Sequence, residues 1–549
     1  MRTVCLLVLL SSSLTVAQPA RTAVDSVIVT GRVRNLSAQL YRESPTVLVS
    51  RNNILQASRE LVRPAPLNVD GTFRVSLPLI YPQEELYFTY GRISTAFLAA
   101  PGTLSIELNA DSLFTADVPF RFGGVNAQVN QQFARFKAFE ASFSGKPNPA
   151  KLSEQVSGKQ DEAVYRQVAT AFQAPFRAFS TKEKPFPLLT RWVGWSNRYN
   201  AASFLYDKAG YEEATLAKSL NDSLRPPDDQ LLTAARATAM NRFGTYATSL
   251  STGRTTNGLP VDALASLLLR YGRNLTQTER TRLQSYQTSN SAKASDLRFF
   301  QDLVKRSSDT IQRLATYETM IRRSKSQFDS ASVSYLTAYW LAYSLPTLTL
   351  DFAKLLYAYA RPQITDPQLG QSLDELYALE VKDSVRIRAA VQAFRKAGDK
   401  LDGTELSPGV FVTKNDLPAG GALFDRIVGT NRGKVVYVLM TTATEEAGQQ
   451  AALDAQRLRA RYRSRDLALV YVPVPGTDPS LWIEFSTKYN LAGDHLLLTG
   501  EQLPELMERL RPDDSLSATV INRVGKIVKR NAPLPGAYEE VGKVIDKQL

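Results

Sequence analysis

Residues 25 to 122 alternate apolar and polar positions with a period of two, the mark of strands half-buried against a core. Val27, Val29 and Val33 form one such run, and Val47 and Val49 another. Asp70-Gly71 is a tight-turn pair leading into Phe73, Val75 and Leu77, and Pro101-Gly102 leads into Leu104, Ile106 and Leu108. Short strands at this spacing predict an antiparallel β-sandwich. From 126 to 400 the period lengthens. Phe133, Phe136, Phe139 and Phe143 recur at three and four residues. Leu264, Leu267, Leu268 and Tyr271 line one helical face, as do Phe352, Leu355, Leu356 and Tyr359. Prolines punctuate this stretch, which predicts an all-α domain of about eight to ten helices. Tyr335, Tyr339, Trp340 and Tyr343 crowd one short segment. They read as interhelical packing, with the lining of a ligand groove as the alternative.

After Gly398 the pattern turns again. A buried strand (VVYVLM), a helix near 445–463 and a second strand (LALVYVPV) are followed by a helix near 479–489, a strand pair at 518–530 and a last helix at 536–548. This alternation predicts an α/β domain over 405–549 with parallel pairing in its first half. The fold class is therefore multidomain α+β: an N-terminal β-sandwich (25–122), a central all-α domain (126–400) and a C-terminal α/β domain (405–549).

The first residues, MRTVCLLVLLSSSLTVAQ, read as a secretory signal peptide over 1–17: a positive start, a short apolar run and a small-residue site ending at Ala17. No transmembrane segment is expected after its cleavage. The sequence holds one His, His495, and one Cys, Cys5. Cysteine-cluster, multi-histidine and Cys–His metal sites and CxxC redox pairs are thereby excluded, and neither metal nor cofactor is expected. His495 has no evident Ser or Asp partner and reads as a loop or cap residue. The net charge of +13 is mild for 549 residues. The densest basic stretch, Arg457, Arg459, Arg461, Arg463 and Arg465, reads as a solvated helix C-terminus, where the dipole favours cations. Nucleic acid is not expected as a partner.

The C-terminal segment resembles a TlpA/ResA-type thioredoxin-like domain of Gram-negative envelopes. In that family a GKVVLVDFWA-like strand runs into W-C-x-x-C at a helix start; here Gly433 to Gly448 reads GKVVYVLMTTATEEAG. Glu445 and Gly448 stand at the two cysteine positions, Leu439 at the buried acid, and Leu516, in LSATVINRVGKIV, where the family has a cis-proline. NAPLPGAYEEVGKVIDKQL resembles the family's final turn and helix. The front of the chain is similar to the uncharacterised β-domain that often precedes such domains, through Gly31, Asp70-Gly71-x-Phe73, PGTLSIELNAD and FRFGGVNAQVNQQF. Residues 126 to 400 lie outside the resemblance.

The family's thiol–disulfide exchange needs a thiolate, and a carboxylate at Glu445 cannot form a mixed disulfide. No catalytic residue is carried over. Glu445 and Glu446 could bind a cation or act as acid and base; as a first helical turn capped by Thr444 they stabilise the dipole instead. The groove around Thr441, Thr442, Thr444, Glu445 and Glu446 is the candidate binding surface. Asp-Ser/Thr pairs at Asp25, Asp111, Asp222, Asp309, Asp329, Asp383 and Asp514 resemble envelope O-glycosylation acceptors, and read equally as turn or cap pairs. The expectation is a periplasmic or cell-envelope, non-redox thioredoxin-fold protein that binds or scaffolds an envelope protein or peptide. The alternatives are an envelope enzyme with a carboxylate-based site in the helical domain, and a cysteine-free accessory to a thiol–disulfide oxidoreductase.

Overall fold

The computed structural model describes residues 25–549 apart from 92, 114, 226–229, 253–258, 289–295, 399–400, 415–419 and 475–476. The expected leader over 1–17, with Cys5, lies outside the described residues. The fold is mixed α/β.

The first region carries β1 (Ser26–Arg34), β2 (Thr46–Asn53), β3 (Gln56–Pro66), β4 (Thr72–Pro78), β5 (Gln83–Tyr90), β6 (Ile93–Ala99), β7 (Gly102–Asn109) and β8 (Phe120–Gly124). They form two sheets, ordered β4-β1-β7-β8 and β3-β2-β5-β6. The alternating residues read from the sequence face one shared cluster: Val27, Val29, Phe73, Leu104 and Ile106 from one sheet, Val47, Val49 and Phe88 from the other. Pairing is not antiparallel throughout, however, because β1 and β7 run parallel, with Val29 opposite Leu104. The chain leaves the first sheet for β2 and β3, returns in β4, and leaves again before β7 lands on the remaining edge of β1. A period of two specifies faces but not that landing direction. Gly31 is pressed against β7 so closely that a Cβ there would lie 2.0 Å from the Ile106 carbonyl oxygen.

Between Ala127 and Ala397 the described residues hold thirteen α-helices, more than expected. The additional ends lack proline. The helix Pro149–Val156 stops before Gly158, whose φ is 71°, and Ser307 alone separates Leu297–Arg306 from Ser308–Gln327. This region is not purely helical. β9 (Leu231–Leu232) pairs in parallel with the start of β5, Gln83 opposite Leu231. Ile54 and Leu55, from the turn between β2 and β3, and Tyr81, from the bend before β5, sit in the main helical core. The Trp192 indole donates to Glu85 Oε2 at 2.9 Å. Arg51 donates to Glu84 Oε2 at 2.8 Å and to Glu375 Oε1 at 2.6 Å, beneath the surface. The strands and helices thus meet across buried contacts, each keeping a core of its own.

The last region contains β10 (Leu401–Ser407), β11 (Val410–Lys414), β12 (Val435–Thr441), β13 (Leu467–Pro473), β14 (Gly493–Leu496), β15 (Ser517–Ile521) and β16 (Ile527–Lys529). The sheet order is β10-β11-β14-β13-β12-β15-β16. β11, β14, β13 and β12 are mutually parallel, while β15 is antiparallel to β12. Both faces are covered, which is why β12 is buried at every position and apolar up to Thr441. Val435, Tyr437 and Leu439 face the helices Glu446–Arg459, Pro479–Lys488 and Tyr538–Asp546. Val436, Val438 and Met440 face Gly420–Thr430 and Leu503–Leu510.

One rod joins the two halves. The helix Pro367–Ala397, capped by Asp366, has 31 residues, and at 1.5 Å per residue it extends about 46 Å. Leu369, Leu373 and Leu376 belong to the helical core, and Ala390 and Phe394 to the sheet core. Lys488 Nζ donates to the Pro346 carbonyl at 2.8 Å across the same junction.

Candidate functional site

β12 ends at Thr441, and the following helix begins at Glu446 with Glu445 as its N-cap residue. The turn between them is closed by its own hydroxyls. Thr441 Oγ1 donates to the Gly448 carbonyl at 2.8 Å, and Thr442 Oγ1 lies 2.8 Å from Thr444 Oγ1 and 3.2 Å from Thr477 Oγ1. Thr444 is therefore not the cap that its position suggested, because its hydroxyl is turned towards Thr442. Thr441 and Thr442 are buried, so only Thr444, Glu445 and Glu446 of the candidate surface are exposed. Leu516 is half-buried against the same core just before β15, and all peptide bonds of the described residues are trans.

Gly448 is the decisive position. A Cβ there would lie 2.6 Å from the Thr442 oxygen and 3.0 Å from its nitrogen, atoms of the backbone that cannot swing aside. Reinstalling a thiol is thus a packing problem as well as a chemical one. Gly448→Cys is expected to lower stability by about 1–3 kcal/mol, whereas exposed Glu445→Cys should stay within about 0.5 kcal/mol. Urea melts would show it; an unchanged midpoint for Gly448→Cys would mean that the turn opens freely.

His495 is neither in a loop nor at a cap. It lies within β14, fully buried, with its ring stacked 4.9 Å from that of Tyr471. The Trp482 indole donates to Nδ1 at 3.0 Å, which leaves Nε2 to donate to the Leu491 carbonyl at 2.7 Å. Burial lowers its pKa to about 4. Both nitrogens are occupied inside the core, away from any approach for substrate. The basic stretch is likewise used locally. Arg457 pairs with Asp454 in the last turn of its helix, and Arg461 lies over the Tyr538 ring. Of the Asp-Ser/Thr pairs, Asp329 caps the helix Ser330–Ser344, and Asp514 accepts from the Ser515 amide.

A more open site lies in the helical region. A cleft of about 610 Å3 is walled by the helices Ala234–Thr252, Ser308–Gln327, Ser330–Ser344 and Leu350–Ala360. The crowded aromatic segment is its central wall. Tyr335, Tyr339 and Tyr343 fall one turn apart, with successive rings stacked at 5.8 and 5.9 Å. Tyr335 is core packing; Tyr339 lines the cleft and Tyr343, 69% exposed, marks its mouth. The Tyr339 ring lies so close to Gly244 that a Cβ there would come within 2.5 Å of it. The Trp340 indole donates to Thr248 Oγ1 at 2.8 Å. Opposite stand Phe352 and Leu356, with the Arg313 guanidinium 5.6 Å from the Phe352 ring centre. Burial raises the Tyr317 and Tyr339 phenols above their ordinary pKa, so both remain neutral. Thr248 and Arg313 carry no local signal in the sequence, since they reach the cleft from helices distant along the chain.

No family model, curated protein or solved structure matches this chain. Among the described residues, no group of three His, Cys, Asp or Glu is placed to hold a metal ion, and no helix is long and apolar enough to cross a membrane.

Proposed function

We propose that this chain is a non-redox binding protein whose ligand site is the aromatic cleft, set in a cell-envelope architecture that ends in a thioredoxin-like domain without thiols. The observation that carries the reading is the cleft itself. Its size falls in the range of small-molecule sites, and its lining is mainly apolar and aromatic with a few polar groups. The thioredoxin-like reading of 405–549 is supported by a buried strand running into a helix at Glu446, by the hairpin of β15 and β16, and by the closing helix. The envelope location rests on the leader-like first residues and on the family resemblance.

A carboxylate-based enzyme is less well supported. Among the described residues, the lining of the cleft includes no Asp or Glu, and that of a neighbouring cavity of about 700 Å3 includes Glu213 as its one carboxylate, alongside Lys218. Full-length protein purified from its own cells should yield a small molecule in near-stoichiometric amount on denaturing extraction and mass spectrometry. Thr347→Trp, which places an indole in the mouth from an exposed position, should lose it. Equal recovery from both proteins, or from neither, would remove the cleft from consideration. Insulin reduction by either protein would contradict the non-redox assignment.

A further inference from the structure

A further cavity, of about 320 Å3, lies where the parallel strands of the last sheet begin. Gly409, Lys434, Leu467 and Gly493 line it, each at or just before the first residue of β11, β12, β13 or β14. Its lining carries both signs of charge. Asp494, in β14, is half-buried, and its Oδ2 accepts from Asn431 Nδ2 at 2.9 Å. The same nitrogen donates to the Ile427 carbonyl at 3.0 Å, so a buried side chain holds the carboxylate in place. Asp494 Oδ1 has no hydrogen-bond or ion-pair partner among the described residues. Burial raises the Asp494 pKa, outweighing the Asn431 bond and the Lys434 charge, so the carboxylate would gain from one more donor. Lys434 Nζ lies 3.5 Å from Asn431 Oδ1. Arg459, at the end of the helix Glu446–Arg459, makes no hydrogen bond or ion pair among the described residues. A lone cation in this cavity would meet Lys434 and Arg459, and a lone anion would meet Asp494. A molecule with an ammonium and a carboxylate side by side meets neither conflict. Phe411, Leu467, Ala468 and Leu469 supply an apolar remainder.

We propose that this cavity takes a free α-amino acid with an apolar or absent side chain, its ammonium on Asp494 and its carboxylate on Arg459 and Lys434. The site is separate from the aromatic cleft. Calorimetry on the full chain with glycine, L-leucine and L-phenylalanine should show one-to-one binding of at least one of them. For the tightest, the N-acetyl derivative and the primary amide each lack one charge and should be weaker by about tenfold or more. Its homodipeptide, whose two charges stand one residue further apart, should be weaker too. Asp494→Asn should erase the penalty for N-acetylation and keep that for the amide, and Arg459→Gln should do the reverse. Thr347→Trp, in the aromatic cleft, should leave the amino acid bound as before. A blocked form or dipeptide as tight as the parent, or penalties that both charge substitutions leave unchanged, overturns the proposal. So does loss of binding in Thr347→Trp, which would place the amino acid in the cleft, or absence of binding by all three amino acids up to about 1 mM.

Discussion

Replacing Arg51 by Met is expected to destabilise the protein by about 3–5 kcal/mol, the cost of leaving a buried charge without its partner. The Arg51 side chain is 5% exposed and holds Glu84, which is 1% exposed, and Glu375. Glu84 in turn accepts from the amides of Ile80 and Tyr81, so it anchors the entry to β5. The group joins β2, β5 and the long helix Pro367–Ala397, and its loss should weaken the strand–helix interior as a unit. An exposed control separates charge from context. Arg34 pairs with Glu107 at 58% and 39% side-chain exposure, and Arg34→Met should cost no more than about 1 kcal/mol. Guanidinium unfolding of both variants checks the contrast. A loss of under about 1 kcal/mol for Arg51→Met would show that water reaches the group and that the buried-charge argument fails.

The second large effect depends on pH. Above pH 6.5 His495 is neutral in both folded and unfolded chains, so its contribution to stability is constant. Between 6.5 and about 4 the unfolded chain takes up a proton that the buried imidazole resists, chiefly because burial disfavours its charge. The Trp482 N–H aimed at Nδ1 opposes protonation further. Stability is therefore lost as the pH falls through this window, by about 3 kcal/mol in all, and no more is lost from this group below it. Carboxylates such as Glu85 and Asp494, whose pKa values are raised by burial, act in the opposite sense on acidification. The test is thus the difference between wild type and His495→Gln. The variant should be less stable at pH 7, and the gap should narrow steadily towards pH 4. A gap independent of pH would mean that the ring titrates normally and is hydrated.

The parts of the fold that could be read in advance are those governed by local period. Val27 and Val29 face the core for the same reason that Leu104 and Ile106 do, because a strand sends alternate side chains to one side. The unbroken apolar run of β12 announced a sheet covered on both faces, and its two clusters divide at alternate residues. Helix ends were legible where proline marked them and missed where a serine or a left-handed glycine did the same work. His495 was misplaced because nothing local to GDHLLLTG reveals that Trp482 arrives from the preceding helix to meet it.

The candidate sites divide in the same way. Residue identity alone excluded a CxxC redox pair, since no arrangement of the chain can turn Glu445 into a nucleophilic sulfur. The closing of the turn by Thr441, and the pressure of Gly448 on the Thr442 backbone, became visible only in three dimensions. Tyr339, Trp340 and Tyr343 stood out as a cluster, but whether they packed or lined a groove depended on Gly244, Thr248, Arg313 and Phe352 from other helices. The contact of Arg51 with Glu375 spans 324 positions of the chain. Period and composition are properties of each segment and settled element type, buried face and the chemistry ruled out. Partnerships between distant segments depend on which surfaces fit and which charges must be paired once water is excluded, and so the parallel β1–β7 pair, the bridging helix and the aromatic cleft belong to the tertiary structure alone.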